Sequence, residues 1–161
     1  MAYIYPSPGV TGSEVTLSLE NSADTGNDSL TIAGLQDMTI NASNDVFTWE
    51  QLDSGSKFQI ATTATNSVAM NLVVDQTTFF GADSDSADST DTATNLGIFG
   101  FSRLKSKVEF SIFLGKTDAG GAGKTISGEG YITGLAPTTS AGEPVWVTPI
   151  TITVVGDYTI A

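Results

Sequence analysis

The chain has 161 residues, 40% of them hydrophobic, with 18 acidic and 6 basic side chains, no histidine and no cysteine. That length suits one domain with a self-sufficient core, and a formal charge of −12 repels phosphate and anionic lipid, which argues against nucleic-acid binding and membrane docking. Without His and Cys there is no Ser-His-Asp or Cys-His machinery, no Cys/His zinc site and no disulfide.

The opening residues, MAYIYPSPGV, lack the basic start and apolar run of a signal peptide. No window approaches the roughly 20 apolar residues of a membrane span. The expectation is a soluble protein made in the cytoplasm. Pro6 and Pro8 predict an extended arm over residues 1–12 instead of a ladder strand. Tyr3, Ile4 and Tyr5 on it need a surface to pack on, either their own core or a neighbouring subunit.

From Glu14 to Glu20, Val15, Leu17 and Leu19 alternate with Thr16 and Ser18, which predicts a strand. Asn21 to Ser29 is a polar connection. Leu30–Ile32 and Met38–Ile40 supply short alternating pieces around Gly34, read as one bulged or bent strand. A second polar group, Asn41 to Asp45, precedes Val46 to Trp49, and Leu52 to Gly55 makes a turn. Phe58 and Ile60 begin another strand, and Val68, Met70, Leu72 and Val74 define a further strong one.

Residues 79–95 form the main break in composition, an acidic polar loop with Asp83, Asp85, Asp88 and Asp91 among Ser, Thr and Ala. A calcium loop of the EF-hand type fails in detail. Counted from Asp83, the fifth, sixth and twelfth positions hold Ala87, Asp88 and Thr94, where that loop needs an acceptor, Gly and Glu. A helix over Thr92–Leu104, capped by Thr90 or Asp91, follows from the spacing of Ala93, Leu96, Phe101 and Leu104, with Gly97 and Gly100 weakening it. Arg103, Lys105 and Lys107 gather at its end, where cations suit the helix dipole.

Val108, Phe110, Ile112 and Leu114 alternate with Glu109 and Ser111 in the strongest strand pattern of the chain. GGAGKT, ending at Thr125, looks like a phosphate loop, yet the first Gly of that motif is replaced by Asp118 and a strand follows where a helix is required. In the last quarter, KTISGEGYITGL puts Ile126, Gly128, Gly130 and Ile132 on one face. After a polar loop from Pro137 to Pro144, Trp146, Thr148, Ile150, Ile152 and Val154 share a face of the next strand. Pro149 predicts an edge or a bulge there, and Gly156-Asp157 a turn into the terminal Tyr158 to Ala161.

The Gly-rich strand GEGYITGL, the Ser-Ala-Gly-Glu-Pro loop, the Val/Thr/Ile strand and the terminal GDYTIA together resemble the end of major tail tube proteins of long-tailed bacteriophages. The resemblance implies a mainly β fold, a β-sandwich or partial barrel with one α-helix, over a single domain, 1–161. It also implies hexameric rings that stack into the hollow tube of a virion tail, through which DNA is delivered. Its implied partners are further copies of the chain, a tape measure, a terminator and a baseplate hub, with DNA passing without specific binding and no membrane. No cofactor, metal or catalytic residue is implied. The competing class is a β-sandwich binding module, such as a capsid decoration or adhesin-like protein.

An acidic lumen would let DNA slide, since each Lys or Arg contact with phosphate adds affinity. Glu109 and Glu129 alternate away from the apolar faces of their strands and are the candidate lumen-facing acids, with Asp37 a third. Candidate inter-subunit contacts are Tyr3, Ile4, Tyr5, Asp83, Asp85, Asp88 and Asp91.

Overall fold

The computed structural model describes residues 3–5, 15–24, 26, 28–83, 87–117 and 122–161. Its strands are β1 (Ile4–Tyr5), β2 (Thr16–Asn21), β3 (Ser29–Thr31), β4 (Leu35–Gln51), β5 (Ser54–Val73), β6 (Val108–Phe113), β7 (Lys116–Thr117), β8 (Thr125–Leu135) and β9 (Val147–Ile160). A π-helical turn spans Gln76–Phe80, and one α-helix, α1, spans Ala93–Leu104.

Seven strands form one antiparallel sheet in the order β3-β2-β6-β8-β9-β5-β4. The edge strands β3 and β4 are joined by only Ile32, Ala33 and Gly34. Four Cα steps reach at most about 15 Å, whereas six strand spacings in a flat sheet come to about 29 Å. The sheet therefore curls until its edges nearly meet. This is the partial-barrel form of the expected mainly β class, and the pieces on either side of Gly34 are two strands on opposite edges of it, not one bulged strand.

The inner face carries the core. Leu17 and Leu19 of β2, Val68, Met70 and Leu72 of β5, Val108, Phe110 and Ile112 of β6, and Ile150 and Ile152 of β9 are all buried. Leu96, Ile98 and Phe101 of α1 are buried with them, where the helix rests on β2, β3 and β8. Gly130 allows the tightest approach between strands, since a Cβ there would lie 2.5 Å from the Thr153 carbonyl oxygen.

Several expectations change. Strand β9 is interior, between β8 and β5, and carries Pro149. Val147 exchanges both backbone bonds with Thr138, so by alternation Pro149 faces the same side, beyond the last β8 pair, Leu135 with Ile150. Its missing N–H breaks no ladder bond. Strand β9 also runs through Gly156-Asp157, which forms a bulge within it and no turn. The cap of α1 is Thr92, whose hydroxyl accepts from the Asn95 N–H at 3.3 Å.

Ile4–Tyr5 pairs with Lys116–Thr117 in a small separate sheet, so this part of the expected arm does make a ladder. Pro6, Pro8 and Asp85 lie outside the described residues. The acidic loop is shorter than expected, because Phe79 and Phe80 belong to the π-turn and Ala93 to Asn95 to α1.

Candidate assembly surfaces

Strand β9 supports β5 only as far as Ser67. Beyond it, β4 and β5 continue as a two-stranded ribbon from Ala42 and Asn66 to the turn after Gln51, on the order of 30 Å at the rise of a β-strand. The expected loop Asn41–Asp45 is part of this ribbon. On β4 the core side runs through Met38 and Ile40 to Ala42 and Asn44, while Phe47 and Trp49 lie on the opposite side. Phe47 pairs across the ribbon with Ile60 and Trp49 with Phe58. The rings stack, with centroids 5.9 Å apart for Phe47–Trp49 and 5.7 Å for Trp49–Phe58. The other face holds Val46, Thr48, Gln59 and the Glu50–Lys57 pair at 3.5 Å. Phe47 is 58% exposed, Ile60 56% and Phe58 37%. An isolated hairpin is marginal in water, so an aromatic face left this bare marks a contact surface.

The C-terminal strand holds the root of the ribbon. The Tyr158 hydroxyl lies 2.7 Å from the Asn41 carbonyl oxygen and 3.0 Å from that of Ser67, sharing one donated bond. Burial raises its pKa above the usual tyrosine value. The Asn66 side-chain amide donates to the Gly156 carbonyl at 3.0 Å, so the bulge in β9 meets the ribbon where the sheet ends.

At the opposite end of β5 the surface is concave and apolar, lined by Val74, Phe79, Phe80, Phe99, Pro137 and Trp146. Asp75 caps the π-turn, accepting from the Thr78 N–H at 2.7 Å and from the Thr78 hydroxyl. Gly81 (φ 74) ends the turn against Gly97 (φ 61), where α1 departs from helical geometry. A Cβ on Gly81 would lie 2.3 Å from the Asn95 carbonyl oxygen, and one on Gly97 2.4 Å from the Gly81 nitrogen. That approach packs Phe79, Phe80 and Phe99 together, with centroids 4.9 to 5.9 Å apart. The Val74 N–H donates to the Trp146 carbonyl at 2.9 Å, setting Trp146, 52% exposed, on the rim.

On the face of the sheet away from the core, Glu20, Glu109 and Glu129 stand directly opposite one another on β2, β6 and β8. A row of Ser18, Ser111, Ser127 and Thr159 runs beside them. Lys107 reaches Glu129 at 2.7 Å, and that hydrogen bond holds its ammonium above the usual lysine pKa. Glu109 adds to the field on the same ammonium, and carboxylates placed directly opposite repel. Asp37 lies on the same side of the sheet but on the edge strand β4, where it accepts from the Asn71 backbone and side chain at 2.9 to 3.1 Å.

No protein-family model matches the chain, and no curated protein is significantly similar in sequence. Solved structures do match. A chain from the tail of an empty GTA particle, refined helically with C6 symmetry, superposes with a TM-score of 0.62 over 95% of this chain and 99% of its own, at 15% identity. A chain of the SPP1 tail tube gives 0.62 over 94% of this chain and 78% of its own, at 10% identity. The fold is the tail tube fold. A chain from the sheath/tube terminator of the extracellular contractile injection system PVC shares it, with a TM-score of 0.59 over 96% and 97% at 15% identity.

Within the tail tube fold of this chain, the candidate acids Glu109 and Glu129 are neighbours, and Glu20 joins them. The alternation of one strand cannot show that, because it depends on register between strands. Asp37 stands apart. Ile4 on β1 and Tyr3 just before it are exposed. Asp83, Asp88 and Asp91 lie in a tethered loop, since the Asn21 amide donates to the carbonyls of Ser89 and Asp91 at 3.0 and 2.7 Å. Asp88 accepts from both Thr90 N–H and hydroxyl, which lowers its pKa. At the end of α1, Lys105 takes the left-handed cap position. The sequence reading missed the full ribbon and the groove.

Proposed function

We propose that the chain is a structural subunit of a virion tail tube, self-assembling into stacked rings that form a conduit for DNA. The observation that carries this is the projecting ribbon with a bare aromatic face, on a fold shared over most of the chain with tail components. A lone soluble domain gains nothing from such a face, whereas a repeating assembly covers it at every copy. The role is mechanical and requires no catalysis. Tube ends meet other tail proteins such as a terminator, tape measure and baseplate hub, and the site of action is the virion tail.

In this reading the row Glu20, Glu109 and Glu129 lines the lumen, and Tyr3, Ile4, Tyr5 and the acidic loop with Asp83, Asp85, Asp88 and Asp91 take part in subunit contacts. Asp37, tied to Asn71 on the edge strand, contributes less to the wall. Each acid recurs once per subunit and in every ring, building a continuous negative surface. Screening over about 8 Å leaves only groups near the duplex effective.

Electron microscopy of the purified chain tests assembly: rings or tubes are expected, and a stable monomer at high concentration would return the chain to the binding-module class. Glu109→Lys tests the conduit. It is the cleaner reversal, because Glu129 already holds Lys107. Rings should form, and DNA release from virions carrying it should slow at low salt and recover at high salt. Unchanged release at low salt would remove the electrostatic conduit and leave the tube standing.

A further inference from the structure

Two bare apolar surfaces sit at opposite ends of one strand. Phe58 and Ile60 lie near the start of β5, and Val74, on the groove, directly follows its end. Fifteen residues of strand lie between Phe58 and Val74, about 50 Å, so the ribbon of one chain cannot reach its own groove. Both surfaces are aromatic. One projects, with Phe47, Trp49, Phe58 and Ile60 on a single face; the other recedes, with Phe80, Phe99 and Trp146 around it. A projection and a recess on one molecule that cannot meet internally are the two halves of a head-to-tail contact, which propagates without needing a second kind of subunit.

We propose that the aromatic face of the ribbon seats in the Phe80–Phe99–Trp146 groove of a second copy displaced along the direction of β5. This rests on the self-assembly proposed above and names the surfaces that make one of its contacts. The groove is shaped by the close approach of Gly81 and Gly97, so it is preformed and its occupant meets no ordering cost there. The ribbon enters with its polar face, Thr48, Gln59 and the Glu50–Lys57 pair, turned to solvent.

The chain is free of cysteine, which allows a clean cross-linking test at exposed positions. Ile60→Cys and Phe80→Cys chains, co-assembled and treated with a short bis-maleimide, should give covalent dimers containing one chain of each kind. Either chain assembled alone should give none. Tubes of normal appearance that yield no mixed dimer would overturn this contact while leaving the proposed function intact; a wild-type chain that never assembles would remove both. A second measurement guards against cysteine variants that fold poorly. Ile60→Glu and Phe99→Glu should each raise the concentration needed for tube growth roughly tenfold or more. Mixed after separate assembly, they should form paired rings that stop, because one intact ribbon face and one intact groove remain between them. Tube growth at the wild-type concentration by either variant alone would also overturn the contact.

Discussion

The two halves of β5 differ in what their side chains meet. From Val68 to Leu72 the strand has neighbours on both edges and α1 nearby, and its inward residues Val68, Met70 and Leu72 are buried. From Phe58 to Ala64 it pairs, among the described residues, with β4 alone, and Ile60 stays more than half exposed. Phe58 and Ile60 are as apolar as Val68 and Met70. One half completes a core within the chain, and the other holds an apolar face ready outside it. Alternation reports which residues seek burial; the number of paired edges and the layer above decide whether the chain provides that burial itself.

The sharpest way to break this contrast is to truncate one large side chain in each region. Phe101, fully buried under the sheet, should cost about 3–5 kcal/mol when changed to Ala, from lost burial and the cavity left behind. Phe47→Ala should change monomer stability by under about 0.5 kcal/mol, as for exposed sites, while impairing assembly. Urea titration of each variant at a concentration low enough to keep it monomeric, followed by microscopy at high concentration, separates the two effects. A Phe47→Ala monomer destabilised as much as Phe101→Ala would mean that the aromatic stack holds the fold itself.

How much of this was legible in the sequence follows the same division. Strands β2 and β6 and the inward set Thr148, Ile150, Ile152 and Val154 are readable because each strand has one dry face and one wet face. The helix was readable from spacing, but the break at Gly97 was not, because its cause is Gly81 on another segment. The ribbon was half readable. Val46–Trp49, the turn after Leu52, and Phe58 with Ile60 were visible as pieces, while Asn41–Asp45 looked like a loop. That stretch lacks apolar alternation because neither face is covered there, yet its backbone pairs with the Thr-rich stretch Ala61–Asn66. Equal spacing of those two polar stretches from the turn was the available signal. The groove gathers Phe79, Phe80, Phe99 and Trp146 from three separate segments, which no local pattern brings together.

The smallest effect concerns the joint between the two halves. Tyr158 belongs to β9 and packs its ring against Phe110, with centroids 6.3 Å apart, while its hydroxyl bonds carbonyls on both strands at the root of the ribbon. Tyr158→Phe keeps the ring and removes the bond, so the expected loss is about 0.5–1.5 kcal/mol. It should appear as faster amide exchange in the root of the ribbon near Asn41 and Ser67 more than as a change in global unfolding. A pH dependence identifies the same bond. Burial raises the folded pKa of Tyr158 above its ordinary value of 10.0, so the folded chain holds this proton more tightly than the unfolded chain. The contribution is complete below about pH 10 and declines as pH rises through the folded pKa. Root-amide protection in the wild type, corrected for the intrinsic rise of exchange with pH, should therefore fall above pH 10 towards that of Tyr158→Phe. If the two proteins show equal root protection at pH 8, the hydroxyl is not what fastens the ribbon, and the packing of the ring on Phe110 is.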